Sequence, residues 1–111
     1  MLKFEELVVD DLQLLTMAKE SFVNLLLNLK VDNEEQYNEL MDGYDIEQLE
    51  MFLLEICNIR KFQSAGVYKT QLSVVICVEG KDAFDDDELL CKYTLVLDSS
   101  LEPIDDYYKV V

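Results

Sequence analysis

The sequence predicts an α+β fold in which N-terminal helices pack on one face of a C-terminal antiparallel β-meander. Three observations predict it. Apolar residues recur at three- and four-residue steps through the first half of the chain. From Gly66 onward the period changes to two. The connections between the alternating segments are short, which makes consecutive strands antiparallel neighbours. The helical part is expected at about 1–63 and the sheet at about 66–111. At 111 residues the chain has the length of one domain.

The first helical stripe comprises Leu12, Leu15, Ala18, Phe22, Leu25, Leu26 and Leu29. Lys19, Glu20, Asn24 and Asn28 fall largely off it. Asp10 or Asp11 serves as N-cap, and Lys30 places a cation where the helix dipole favours one. The preceding Phe4, Leu7 and Val8 fit either a backward extension of this helix or a separate short element.

A second helix opens at Asn33, with Gln36 as its capping-box partner, and ends at Gly43. Asp45 and Gln48 repeat that spacing, so a third helix is expected from Asp45. Its stripe is Ile46, Leu49, Phe52, Leu53, Ile56 and Ile59, and Arg60 and Lys61 close its last turn. Glu47, Glu50, Glu55 and Asn58 face away from much of that stripe.

The first predicted strand runs from Val67 to Glu79. Tyr68, Thr70, Leu72, Val74, Ile76 and Val78 lie on one face, and Lys69, Gln71, Ser73 and Glu79 on the other. Leu89 to Asp98 repeats the pattern. Leu89, Cys91, Tyr93, Leu95 and Leu97 oppose Leu90, Lys92, Thr94, Val96 and Asp98. Tyr107 to Val111 is a third, short strand. The intervening turns are Gly80 to Glu88 and Asp98 to Asp106, the second holding the only proline, Pro103.

Charge is the main functional pointer. Lys and Arg number 9 against 24 Asp and Glu, for a net charge of −15 at pH 7. Half the residues are hydrophobic, which separates the chain from disordered acidic segments. The acidic balance argues against direct nucleic-acid contact and against anionic membrane surfaces. It favours a basic protein partner. No apolar run approaches the ~20 residues that span a bilayer. The opening MLKFEELVVDD has no basic n-region and no clean apolar h-region, so it does not read as a signal peptide. Cys57, Cys77 and Cys91 sit in apolar runs without a CxxC, and are expected as reduced, buried small hydrophobes. A cytoplasmic location follows from that reading.

The densest charge falls in the first strand connection: Asp82, Asp85, Asp86, Asp87 and Glu88, with Lys81 beside them and Phe84 among them. An aromatic anchor amid acids is a pattern of protein interfaces. The alternative is a solvated turn with Phe84 tucked beneath it. The run lacks the D-x-[DN]-x-[DN]-G frame of a calcium loop, so no metal is expected. A second acidic belt comprises Glu34, Glu35, Glu39, Asp42, Asp45, Glu47, Glu50 and Glu55, with no Lys or Arg between residues 34 and 55. Its one-sidedness carries i,i+4 repulsion, as between Glu35 and Glu39. Tyr37 and Tyr44 lie within the belt, where tyrosine suits an interface. Glu102, Asp105 and Asp106, followed by Tyr107 and Tyr108, read as a turn and an edge strand whose charges deter pairing. The partner-binding candidates are therefore Asp82, Phe84, Asp85, Asp86, Asp87 and Glu88 in the loop, and Tyr44, Glu47, Glu50 and Glu55 in the belt.

Enzyme chemistry finds little support. The chain has no His, hence no Ser-His or Cys-His pair. Its three glycines stand 23 and 14 residues apart, which makes no phosphate loop. No cofactor is expected.

In size, acidity and helix-then-sheet order, the whole chain resembles the immunity proteins that protect bacteria from nuclease toxins, including those of contact-dependent growth inhibition. The resemblance implies a cognate toxin, tight specific binding and no catalysis, and it assigns no individual residue a role. A DNA-mimic antagonist of a DNA-binding protein and a homodimeric adaptor are the alternative functions. The DNA mimic predicts carboxylates in long parallel rows, and the adaptor predicts a stable dimer with no charge-dependent partner.

Overall fold

The structure, a computed structural model, describes residues 11–62, 68–81 and 87–110. Helix α1 spans Asp11–Asp32 and α2 spans Glu34–Met41. A 3₁₀ turn at Ile46–Gln48 leads into strand β1, Leu49–Phe62. Strands β2 (Tyr68–Lys81), β3 (Asp87–Leu97) and β4 (Pro103–Val110) follow. The four strands form an antiparallel meander in the order β1-β2-β3-β4, with the helices packed on one face. The fold is α+β, as expected. A 14-residue strand rises ~45 Å, which accounts for the 50 Å long axis.

Helix α1 buries Leu14, Ala18, Phe22 and Leu26, a strict four-residue repeat. The expected stripe is thus displaced. Leu14 replaces Leu12, which is 66% exposed, while Leu15, Leu25 and Leu29 flank the core. Lys30 occupies the last turn, and its ammonium lies 5.8 Å from the centre of the Tyr37 ring. Asp11 is in the first turn, while Asp10 and the Phe4–Val8 question lie outside the described residues.

Helix α2 starts as expected. The Asn33 side chain accepts a 3.1 Å bond from the Gln36 backbone N–H and donates to the Gln36 side chain. The helix stops where Asp42 (φ 51°) and Gly43 (φ 87°) turn left-handed.

The third helix is not formed. Its capping box is real, since the Asp45 N–H donates to Gln48 Oε1 at 2.8 Å, but it caps only the 3₁₀ turn. The stretch from Leu49 is β1, so the sheet begins at residue 49 and not near 66, and it has four strands instead of three. A β-bulge explains the misleading period. Leu53 pairs with Ile76 and Glu55 with Val75, which leaves Leu54 as an extra residue. The helix-facing residues become Leu49, Met51, Leu53 and Ile56, because each is paired with Gly80 or a buried residue of β2. The phase slip at Leu54 sets Leu49, Leu53 and Ile56 four and three residues apart, which is the spacing of a helical stripe.

Bulges interrupt the other ladders too. Leu90 is the extra residue opposite Val78 and Glu79, and it is buried while Leu89 is exposed, which reverses the expected alternation there. Ile104 is the extra residue of β4. Pro103 opens β4 on the sheet edge, a position that tolerates its missing N–H.

The core combines Leu72, Val74, Ile76 and Val78 of β2 with Cys91, Tyr93, Leu95 and Leu97 of β3, packed against α1 and α2. On the other sheet face Ser73 is buried, contrary to its expected exposure. Phe22 and Tyr93 pack with ring centres 5.1 Å apart and planes tilted by 54°.

Candidate functional site

Register brings the start of β1, the end of β2 and the start of β3 to one end of the sheet. Leu49 pairs with Gly80, and Gly80 pairs with Glu88. Lys81 pairs with Asp87, so the acidic connection leaves and re-enters the sheet at this end. Asp82, Phe84, Asp85 and Asp86 lie outside the described residues, and of Asp87 the backbone register alone is described.

Two candidates from opposite parts of the chain meet here. The half-buried Tyr44, in the turn after α2, reaches Glu88 with its hydroxyl at 3.3 Å from Oε2. Its ring lies flat against Gly80, where an added Cβ would stand 2.7 Å from the ring carbons. Only glycine leaves room for that approach. Glu50 pairs with Lys81, and Gln48 Nε2 donates to the Lys81 carbonyl at 3.4 Å. Both contacts tie the 3₁₀ turn and β1 to the mouth of the connection.

The acidic belt is not one continuous helical surface: with the third helix missing, only its first half lies on a helix. Glu34, Glu35, Glu39 and Asp42 are exposed on α2 and its cap. Glu47 is exposed on the 3₁₀ turn, beside the sheet end. Glu55 stands apart, on β1 opposite Val75 and ~13 Å along the ladder from Glu50. It accepts a 3.0 Å bond from Cys57 Sγ, and that contact raises the thiol above its ordinary range. Lys81–Glu50 is the single ion pair among the described residues. Glu34, Glu35, Glu39, Asp42, Glu47 and Glu55 are exposed, and none forms an ion pair with a described cation.

A groove the sequence did not single out lies between α2 and β4. It encloses about 720 Å³. Leu25 and Leu40 supply apolar surface, Gln36 and Glu39 line it from α2, and Asp106 and Tyr108 line it from β4. Gln36 Nε2 donates to the Tyr108 hydroxyl and bridges the two walls. Asp106 was expected to deter edge pairing, and it lies on the edge strand. It also accepts a 2.8 Å bond from the buried Tyr93 hydroxyl. The i,i+2 run Asp106–Tyr108 in the sequence was the available signal. The partnering surface of α2 comes from some 70 residues away, and the sequence carries no trace of that pairing.

Among the described residues no group of three or more Cys, Asp or Glu is placed to hold a metal ion. No described helix is long and apolar enough to cross a membrane. Cys91 is buried, as expected, whereas Cys57 and Cys77 are only half-buried. No protein-family model, curated protein or solved structure matches the chain.

Proposed function

We propose that this chain is an acidic inhibitor that binds a basic protein and occludes its working surface, acting inside the cell as an immunity protein against a nuclease-type toxin. One observation carries the reading: the full sequence has a net charge of −15, and among the described residues a single ion pair forms. An ordinary surface intersperses both signs. A surface this one-sided sacrifices stability to self-repulsion and gains long-range attraction for an oppositely charged macromolecule. Such attraction raises association rates toward ~10⁸–10⁹ M⁻¹s⁻¹ at low salt. The convergence of Tyr44, Glu50 and Glu88 at one sheet end supplies an ordered aromatic and acidic patch for slow release.

The test is capture of partners from the native host at low and high salt, followed by mass in solution of the purified mixture. A basic nuclease retained at low salt and shed as salt rises is the expected outcome. Neutral or acidic partners indifferent to salt, or turnover by the purified chain, overturn the proposal. Two charge-neutralised variants then locate the contact. One replaces Asp85, Asp86, Asp87 and Glu88 by Asn or Gln, and the other replaces Glu47, Glu50 and Glu55 by Gln.

A further inference from the structure

Resting on that reading, we infer that the groove between α2 and β4 is the anchor site for a short basic segment of the protein partner, with an arginine at its centre. Three properties of the groove select this occupant. Its volume of about 720 Å³ falls within the usual range of ligand-sized clefts and exceeds what one small ion needs. Leu25 and Leu40 offer apolar surface to the methylene stem of a long side chain. Glu39 and Asp106 offer carboxylates to its head, and Tyr108 offers a ring face.

Charge excludes the converse occupants. Two carboxylates in one cleft repel a phosphate or an acidic peptide, and they penalise a purely apolar ligand that leaves them dry and unpaired. Lys109 also borders the groove. It pairs with Lys92 across the β3–β4 ladder, between the core-facing pairs Tyr93–Tyr108 and Cys91–Val110. The two carboxylates outnumber this one cation, so the groove lining keeps a negative balance. Asp106 keeps capacity for a ligand, because a carboxylate has about four acceptor positions and Tyr93 occupies one on Oδ2. The walls are held ready by the Gln36–Tyr108 bridge and by the Tyr93–Asp106 bond, so closing on a ligand requires little ordering.

The probe is an acetylated, amidated tri-arginine peptide, titrated at low ionic strength into the full-length ¹⁵N-labelled chain. The expected result is saturable shifts concentrated at Gln36, Glu39, Leu40 and Tyr108. Glu39→Gln then weakens binding about fivefold, and Glu47→Gln, which removes the same charge elsewhere, weakens it less than twofold. Glu39 is exposed, so its replacement leaves the fold intact. Shifts of equal size around Glu47, Glu50 and Glu88, with equal sensitivity to both variants, overturn the groove and leave the basic-partner reading standing. Absence of saturable binding anywhere overturns the groove directly, and a salt-insensitive capture experiment separately overturns the wider reading.

Discussion

The buried Tyr93 hydroxyl donates a 2.8 Å hydrogen bond to the Asp106 carboxylate and stands 2.7 Å from Ser21 Oγ. The single phenol proton goes to Asp106, so Ser21 is the donor to the Tyr93 oxygen. Three elements, α1, β3 and β4, are joined through one oxygen. The edge strand that lines the groove is thereby fastened to the core and to the first helix.

Tyr93→Phe keeps the ring packing on Phe22 and removes both bonds. It should lower stability by ~1–2 kcal/mol, read as a lower urea midpoint at unchanged slope. Burial, reinforced by Asp106, raises the Tyr93 pKa above its ordinary value near 10. The folded state therefore holds this proton more tightly than the unfolded chain. Its contribution is complete below pH 10 and is lost as pH rises beyond it. Midpoints measured from pH 8 to 11 should fall less steeply in Tyr93→Phe than in the parent.

Gly80→Ala should cost ~1–3 kcal/mol, because the new methyl overlaps the Tyr44 ring. In a Tyr44→Ala background the same change should cost far less. Additive effects in this double-mutant cycle would mean that the ring does not rest on Gly80.

Thiol reactivity should sort the cysteines. Burial pushes the Cys91 thiol up to about 12, and the residue is inaccessible, so it should react with an aromatic disulfide reagent only on unfolding. Cys57 is held protonated chiefly by its bond to Glu55. Glu55→Gln leaves only a neutral amide oxygen to accept from the thiol, and it removes the repulsion of a carboxylate against a thiolate. Alkylation of Cys57 at pH 8 should therefore speed up several-fold, as mapped by peptide mass analysis.

Salt should stabilise the chain. Raising ionic strength from ~0.01 M to ~1 M shortens the screening length from ~30 Å to ~3 Å, and the dominant long-range term at −15 is repulsion. Thermal midpoints should rise with sodium chloride. A fall would mean that attractive pairs outweigh repulsion.

Much of the fold was legible in the chain. The Asn33–Gln36 cap, the left-handed stop at Gly43, and the alternation Leu72-Val74-Ile76-Val78 are all where local chemistry puts them. Each depends on neighbours within a few residues. The candidate sites were legible only as composition. Glu47, Glu50 and Glu55 are acidic and largely exposed, but the surface they occupy was misassigned with the third helix.

By itself the sequence determined the α+β class, the first two helices, the apolar face of β2 and that of β3 from Cys91 onward, and the surplus of negative charge. These follow from spacing and count, which local backbone sterics and solvation translate directly into structure. Tertiary structure alone decided that residues 49–62 form a strand, because a bulge at Leu54 disguises its period and pairing with β2 overrides the local signal. It alone decided that Tyr44 meets Glu88, and that α2 and β4 enclose a groove. Those are contacts between residues 44 and about 70 positions apart, set by strand register and helix packing, quantities that no short window of sequence contains.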